Sequence, residues 1–119
     1  MLLPSYYQNY QAFQQALEQM GRTITATDLE LAMLRENFRE VQQLFQSKIL
    51  TLSADDIAPD FVSRWQSLQT EIHRQMRLLE TDLMLLQASR SSSTRFSRQT
   101  GLKNRLNTLI KYCQELRTS

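Results

Sequence analysis

The sequence predicts an all-α protein, an antiparallel up-down-up-down four-helix bundle with a long third helix, formed by residues 1–119 as a single domain. The chain of 119 residues contains only two glycines and two prolines, so long helices can run without interruption. Its commonest residues are good helix formers, and no alternating run of β-branched residues precedes a tight turn. Apolar residues recur at steps of three and four in four segments, which short connections would join as antiparallel neighbours.

The first helix is predicted at about residues 4–20. Pro4 suits its first turn, where no backbone donor is needed, and Gly21 suits the left-handed position after its last turn. Its apolar stripe consists of Tyr6, Tyr10, Phe13, Leu17 and Met20. An apolar, aromatic end is formed by Tyr6, Tyr7 and Tyr10 with Leu2 and Leu3, and it either closes the core or contacts a partner.

The second helix is predicted at about residues 27–50. Thr27 and Glu30 have the spacing of a capping box, and Asp28 complements the helix dipole. Its stripe consists of Leu31, Leu34, Phe38, Val41, Phe45 and Ile49. The carboxylates that follow are Asp55, Asp56 and Asp60. We interpret them as helix caps, because no calcium-loop spacing follows them.

The third helix is predicted at about residues 59–89 and is the longest. Its stripe consists of Phe61, Trp65, Leu68, Ile72, Met76, Leu79, Leu83 and Leu86. A second apolar set, Leu78, Met84 and Leu85, lies off this stripe, so the C-terminal half either sits centrally in the core or faces a partner.

The fourth helix is predicted at about residues 95–116, after a serine-rich segment expected to form a flexible turn. Its stripe consists of Phe96, Leu102, Leu106, Leu109, Cys113 and Leu116. Gly101 weakens its first turns by about 1 kcal/mol, so we expect the helix to fray or to start late.

Charge is distributed unevenly along the chain. Residues 1–60 carry four basic and eight acidic side chains, whereas residues 61–119 carry ten basic and four acidic ones. No acid occurs from Leu83 to Gln114, a stretch that contains Arg90, Arg95, Arg98, Lys103, Arg105 and Lys111. Three interpretations stay open: a solvated face paired with the acidic second helix, a site for an acidic protein surface, or a nucleic-acid site.

The residue types needed for catalysis or metal binding do not form a recognisable pattern. The single histidine, His73, is interpreted as a polar boundary residue, and Cys113 as a buried, inert thiol on a core stripe. Two isolated glycines form no phosphate-binding loop. We therefore expect no enzyme activity, no metal and no cofactor.

The cellular location is inferred from the same composition. One cysteine allows no internal disulfide, which fits a reducing compartment. The N-terminus has no basic, apolar leader, and the longest purely apolar run is far shorter than the roughly 20 residues of a membrane span. We expect a cytoplasmic protein without a membrane span.

Three stretches resemble the cyanobacterial heterocyst frequency control protein PatD family. They are residues 28–45, which begin DLEL and end VQQLF, residues 71–79, EIHRQMRLL, and residues 105–113, RLNTLIKYC. The resemblance implies a small cytoplasmic regulator that binds the cell-division GTPase FtsZ and modulates its assembly, linking division to heterocyst frequency. It carries no motif for that contact, so it assigns no functional residue.

The first hypothesis for function is therefore a protein–protein interaction that regulates FtsZ assembly. Its candidate contacts are the basic residues Arg90, Arg95, Arg98, Lys103 and Arg105 and the apolar residues Leu78, Met84 and Leu85. The alternatives are a nucleic-acid-binding regulator that uses the basic face of the fourth helix, and an adaptor bundle that dimerises through the wide apolar arc.

Overall fold

The computed structural model describes residues 2–118, and within them the chain is all-helical, with four α-helices and no strand. The helices are α1 (Pro4–Thr25), α2 (Leu31–Leu44), α3 (Val62–Gln87) and α4 (Ser92–Thr118). A π-helical turn, Phe45–Ile49, continues α2, and a short 3-10 turn, Ala54–Asp56, lies in the loop before α3. The all-α prediction is confirmed. The third helix is not set apart by its length, because α3 has 26 residues and α4 has 27.

One apolar core extends along the helices. Every stripe residue predicted for the first three helices is buried except Leu31, which is half-buried. α1 packs extensively against α4 and α2, and α3 packs extensively against α4, whereas α2 and α3 touch at few points. The molecule measures 50 × 20 × 20 Å and has a radius of gyration of 15.2 Å, above the about 13.5 Å of a compact chain of this length. These contacts are those of an elongated helical bundle.

Several ion pairs and hydrogen bonds join neighbouring helices. Between α3 and α4, Arg64 pairs with Glu115 at 3.6 Å and Asp82 pairs with Arg105 at 2.9 Å. Between α1 and the α2 segment, Thr23 donates to Asn37, and the Asn9 amide donates to the carbonyl of Lys48 at 3.0 Å. In both pairs of helices, residue numbers rise along one partner as they fall along the other.

The end of α1 differs from the prediction. The helix continues through Gly21 to Thr25, and no glycine among the described residues has a positive φ. Gly21 is therefore an interior helical residue and not a left-handed cap. The additional turn is stabilised by packing, since Thr23 and Ile24 are both buried.

The capping box predicted at Thr27 and Glu30 is wrong. α2 begins at Leu31, Glu30 occupies the N-cap position, and no side chain caps the helix. Because α1 extends to Thr25, the chain needs residues 26–30 to reverse direction. Leu29 packs against the core within this connection, while Thr27 stays exposed.

The starts of α3 and α4 also shift. α3 begins at Val62, after a turn in which the Phe61 N–H donates to the Ala58 carbonyl at 2.8 Å. α4 begins at Ser92, inside the predicted linker, because the Ser91 hydroxyl accepts a hydrogen bond from the Thr94 N–H at 3.1 Å. This is the bond of an N-cap residue. The serine run therefore starts the helix, which is continuous through Gly101 and does not start late.

Candidate interaction surfaces

The first candidate surface is a cluster of cations where α3 passes into α4. Arg90, Arg95, Arg98 and Lys103 are all exposed, and within residues 2–118 none of them makes an ion pair or a side-chain hydrogen bond. Residues 92–98 are exposed on every side of α4, so its first two turns are not covered by another helix. We call this surface, together with Phe96, the basic end.

Phe96 was predicted to lie in the core, and that prediction is wrong. Its side chain is 71 % exposed. Phe96 precedes Leu102 by six residues, which places it about 120° around the helix from the buried stripe. Aromatic side chains and arginines are both enriched at protein interfaces relative to the rest of the surface.

Arg105 differs from the other candidate cations because its side chain is hydrogen-bonded to α3. Its Nε donates to Asp82 Oδ2 at 2.9 Å, and one terminal nitrogen donates to Gln75 Oε1, also at 2.9 Å. Gln75 is buried, and the Arg105 side chain is only 29 % exposed. Arg105 therefore joins α4 to α3 and offers little surface to a partner.

The three apolar candidates on α3 fall into two groups. Leu78 is half-buried and Leu85 is 39 % exposed, and their spacing of seven residues puts them on one outward face. Met84 is 62 % exposed and lies at the edge of the contact with α2. The off-stripe residues thus lie outside the buried core.

The basic residues of α4 are not paired with α2. α4 packs against α1 and α3. The ion pairs among the described residues are Arg39–Glu36, Arg64–Glu115, Arg74–Glu71 and Arg105–Asp82, none of which joins α2 to α4. The charge of the basic end is therefore not neutralised by the acidic second helix.

The aromatic residues near the N-terminus are mainly structural. Tyr10 is fully buried, its oxygen accepts a hydrogen bond from Trp65 Nε1 at 3.0 Å, and its hydroxyl donates to Gln69 Oε1 at 2.5 Å. Burial raises the pKa of the Tyr10 phenol. Tyr6 donates to Asp56 at 2.8 Å, whereas Tyr7 is exposed under the Arg117 guanidinium. Two of the three tyrosines therefore close the core.

Cys113 and His73, the two side chains that the sequence singled out for possible chemistry, lie in different surroundings. Cys113 is buried, and burial raises the pKa of its thiol to about 12, so it carries its proton at neutral pH. His73 is exposed, with its ring 5.7 Å from that of Phe45. Across residues 2–118, no three His, Cys, Asp or Glu side chains come together as metal ligands. In the same part of the chain, no helix has the length and apolar character to cross a membrane.

Sequence patterns did not indicate a second surface, a groove along the contact between α2 and α3. We call it the α2–α3 seam. Two adjoining depressions form it, one beside Phe45 and Met76 and one beside Phe38 and Leu83. Only Met84 among the candidates hinted at this groove. The other residues of the groove occupy ordinary stripe or solvent positions. The periodicity of apolar residues does not show how closely two helices pack.

Comparison with known proteins gives no relative from which a site could be transferred: no family model, no curated protein and no solved structure matches the chain. The two surfaces are therefore characterised by their own charge, exposure and shape.

Proposed function

We propose that this chain is a non-enzymatic, cytoplasmic regulator that binds another protein through its basic end. The observation that carries the proposal is the exposure of Arg90, Arg95, Arg98 and Lys103 around Phe96, with no acidic partner for any of the four among the described residues. The cations would attract an acidic surface and orient it, and the ring would anchor it once in contact.

We propose FtsZ as the partner. Support comes from the resemblance of residues 28–45, 71–79 and 105–113 to the PatD family, which is associated with this cell-division GTPase. Binding would modulate FtsZ filament assembly and thereby influence cell division and heterocyst frequency. Leu85 and Leu78 lie on the neighbouring outward face of α3 and would extend the contact beyond the cations.

We also propose the antiparallel up-down-up-down topology for the bundle. It is supported by the opposite residue order of the α3–α4 pairs Arg64–Glu115 and Asp82–Arg105. Such a topology brings the C-terminus of α3 and the N-terminus of α4 to one end of the molecule, where the basic end lies.

Co-sedimentation with FtsZ filaments tests the proposed function. The double variant Arg95→Glu/Arg98→Glu changes two exposed residues, so we expect it to fold normally and to lose its effect on filament mass. The matched control is Lys48→Glu/Lys111→Glu, which changes the net charge equally at two exposed sites outside the basic end. We expect the control to behave as the unaltered chain does. Equal activity of both variants would show that the basic end is not the contact.

The two alternative functions predict different experimental results. A nucleic-acid-binding regulator would retard a DNA or RNA duplex at low salt through the same cations, and Arg95→Glu/Arg98→Glu would abolish the shift. An adaptor bundle that dimerises through Met84 and Leu85 would show a mass that rises with concentration in light scattering. Either result, combined with no effect on FtsZ, would replace the proposed function.

A further inference from the structure

We propose that the α2–α3 seam is a docking groove for an amphipathic helix of a partner protein, with acidic residues along the edges of its apolar face. This inference concerns a surface separate from the basic end and does not depend on the identity of FtsZ as partner.

The seam is the least closed contact between consecutive helices. α2 and α3 touch at few points, while α1–α2 and α3–α4 pack extensively. The apolar floor of the groove, formed by Phe38, Phe45, Met76 and Leu83, is 5–9 % exposed. By contrast, the stripe residues Leu34 and Ile72 on the same two helices are 0 % exposed. The floor is therefore buried but keeps a narrow apolar strip open to solvent, which is absent at Leu34 and Ile72.

Large apolar side chains flank this floor at both ends. Leu50, just after the π-helical turn, is 48 % exposed at one end, and Met84 is 62 % exposed at the other. Along α3 the groove extends from His73 to Gln87, a distance of about 21 Å that matches a helix of about 14 residues. A helix laid in the seam would cover the floor and both flanking residues.

The shape of the depressions favours a protein segment as the occupant. Their volumes are about 190 and 350 Å³, one below and one just above the lower limit of the roughly 300–1,000 Å³ of small-molecule sites. Each is shaped by the gap between two helices, which is the geometry of helix-in-groove recognition.

The charges at the edges of the groove indicate the charge of the helix that would bind there. Arg35, Arg39 and Arg77 line the two depressions, and Arg74, one turn before Arg77, lines the adjoining hollow on α3. Among the described residues, the one acid that lines the two depressions is Glu80. It accepts a hydrogen bond from Gln42 at 3.2 Å, which joins α3 to α2 between the two depressions. The excess of cations would favour a helix with acidic flanks.

Two of these cations already touch a carboxylate of their own helix. Arg39 lies 3.5 Å from Glu36 and Arg74 lies 3.2 Å from Glu71. These are exposed pairs one helical turn apart, so they exchange partners easily. Arg35 and Arg77 make no ion pair among the described residues.

A π-helical turn and the side-chain amide of Gln87 also support a binding groove at the seam. The groove is lined at one end by the π-helical turn through Phe45, and single π-turns occur frequently at functional sites. At the other end, the Nε2 of Gln87 is buried without a hydrogen-bond partner. Rotation of this amide would let it donate to a bound segment.

Selection from a displayed library of 18-residue peptides tests the groove with defined probes. We expect the full chain to enrich peptides that are acidic and that repeat apolar residues at the three- and four-residue spacing of a helix. Amide shifts in the NMR spectrum of the chain should change on addition of a synthetic enriched peptide, chiefly along the seam. Enrichment of basic or non-helical peptides, no enrichment, or shift changes confined to α1 and α4 would each overturn the proposal.

Two neighbouring exposed residues provide a matched pair of variants. Met84→Glu places a carboxylate at the seam and should weaken peptide binding by about tenfold or more, whereas Leu85→Glu places the same group on the outward face and should leave affinity within about twofold. Equal effects would overturn the proposal. Circular dichroism verifies that both variants fold.

Two further results separate this proposal from its rivals. Arg95→Glu/Arg98→Glu should leave peptide affinity unchanged, so failure of the seam and failure of the basic end are distinguishable. If the free chain were a dimer that Met84→Glu converts to a monomer, the occupant would be a second copy of this chain, and the proposal would be wrong.

Discussion

Arg105 connects two helices through hydrogen bonds that Asp82 and buried Gln75 accept. Replacing it with alanine would leave both acceptors without their partner in a mostly buried site. We predict that Arg105→Ala lowers the free energy of unfolding by about 1–3 kcal/mol, measured by urea denaturation. Arg98→Ala, an exposed control, should change it by less than about 0.5 kcal/mol. Equal losses would show that the Arg105 contacts contribute no more than a surface charge.

Tyr10 occupies the centre of a buried polar network. Its oxygen satisfies the indole N–H of Trp65, and its hydroxyl satisfies the side-chain oxygen of Gln69. Tyr10→Phe preserves the ring but orphans the indole donor, so we predict a loss of about 1–3 kcal/mol in unfolding free energy. Trp65 fluorescence reports both the unfolding and the altered surroundings. The control is Tyr112→Phe, because the Tyr112 hydroxyl makes no hydrogen bond among the described residues. A stability equal to that of this control would mean that the network contributes nothing.

Cys113 gives a pH dependence with a definite sign. Its pKa rises from 9.0 in the unfolded chain to about 12 in the folded one because burial disfavours the thiolate. Above pH 9 the unfolded chain therefore loses the proton first, and stability falls as pH rises towards 12. We predict that Cys113→Ala shows a shallower fall than the unaltered chain in denaturation curves above pH 9. Identical slopes would show that the buried Cys113 thiol does not contribute to this pH dependence.

Reactivity of the same thiol provides a second check. In the folded chain Cys113 should resist alkylation at neutral pH, and denaturant should expose it to rapid reaction, as mass spectrometry would show. Rapid labelling of the folded chain would show that the thiol is accessible.

At the scale of helices, the glycines offer a prediction that corrects a sequence expectation. Gly21 and Gly101 lie within α1 and α4 without positive φ, and a Cβ added at either meets nothing within 4 Å. Alanine loses less entropy than glycine when a helix forms. We predict that Gly21→Ala and Gly101→Ala each raise the unfolding free energy by about 0.5–1 kcal/mol in urea titrations. A loss of stability at position 21 would indicate that Gly21 does serve as a cap.

The helices could be predicted from the sequence wherever burial of one face placed apolar residues at regular three- and four-residue steps. Stripes such as Tyr6–Tyr10–Phe13 and Trp65–Leu68–Ile72 are buried as expected, because three- and four-residue steps place side chains on one face. Helix ends were predicted less well. Thr27 had the right spacing for a cap, but packing of Ile24 extended α1 and displaced the start of α2.

The candidate sites show a similar limit. The exposed cations of the basic end were found because a long run without acids is visible in the sequence. Arg105 looked equivalent to its neighbours, and only the position of Asp82 and Gln75 on α3 shows that it is held within the fold. The seam depends on how tightly two helices approach, which local patterns do not encode.

At the scale of the whole molecule, the segments that flank α3 in sequence carry opposite charge. The loop before α3 contains Asp55, Asp56 and Asp60 and no base, while Arg90 and Arg95 follow the other end of α3. The helix between them has 26 residues, which separates the two groups by about 38 Å. Such a separation would orient an approaching acidic partner towards the basic end before contact.

The central claim is tested most directly by the dissociation constant for FtsZ, measured by fluorescence anisotropy at low and high salt. For the unaltered chain and for Lys48→Glu/Lys111→Glu we predict similar binding that weakens as salt rises. For Arg95→Glu/Arg98→Glu we predict affinity at least about tenfold lower, with a weaker dependence on salt. Indistinguishable constants and salt dependence for all three proteins would contradict the assignment of the basic end as the binding surface.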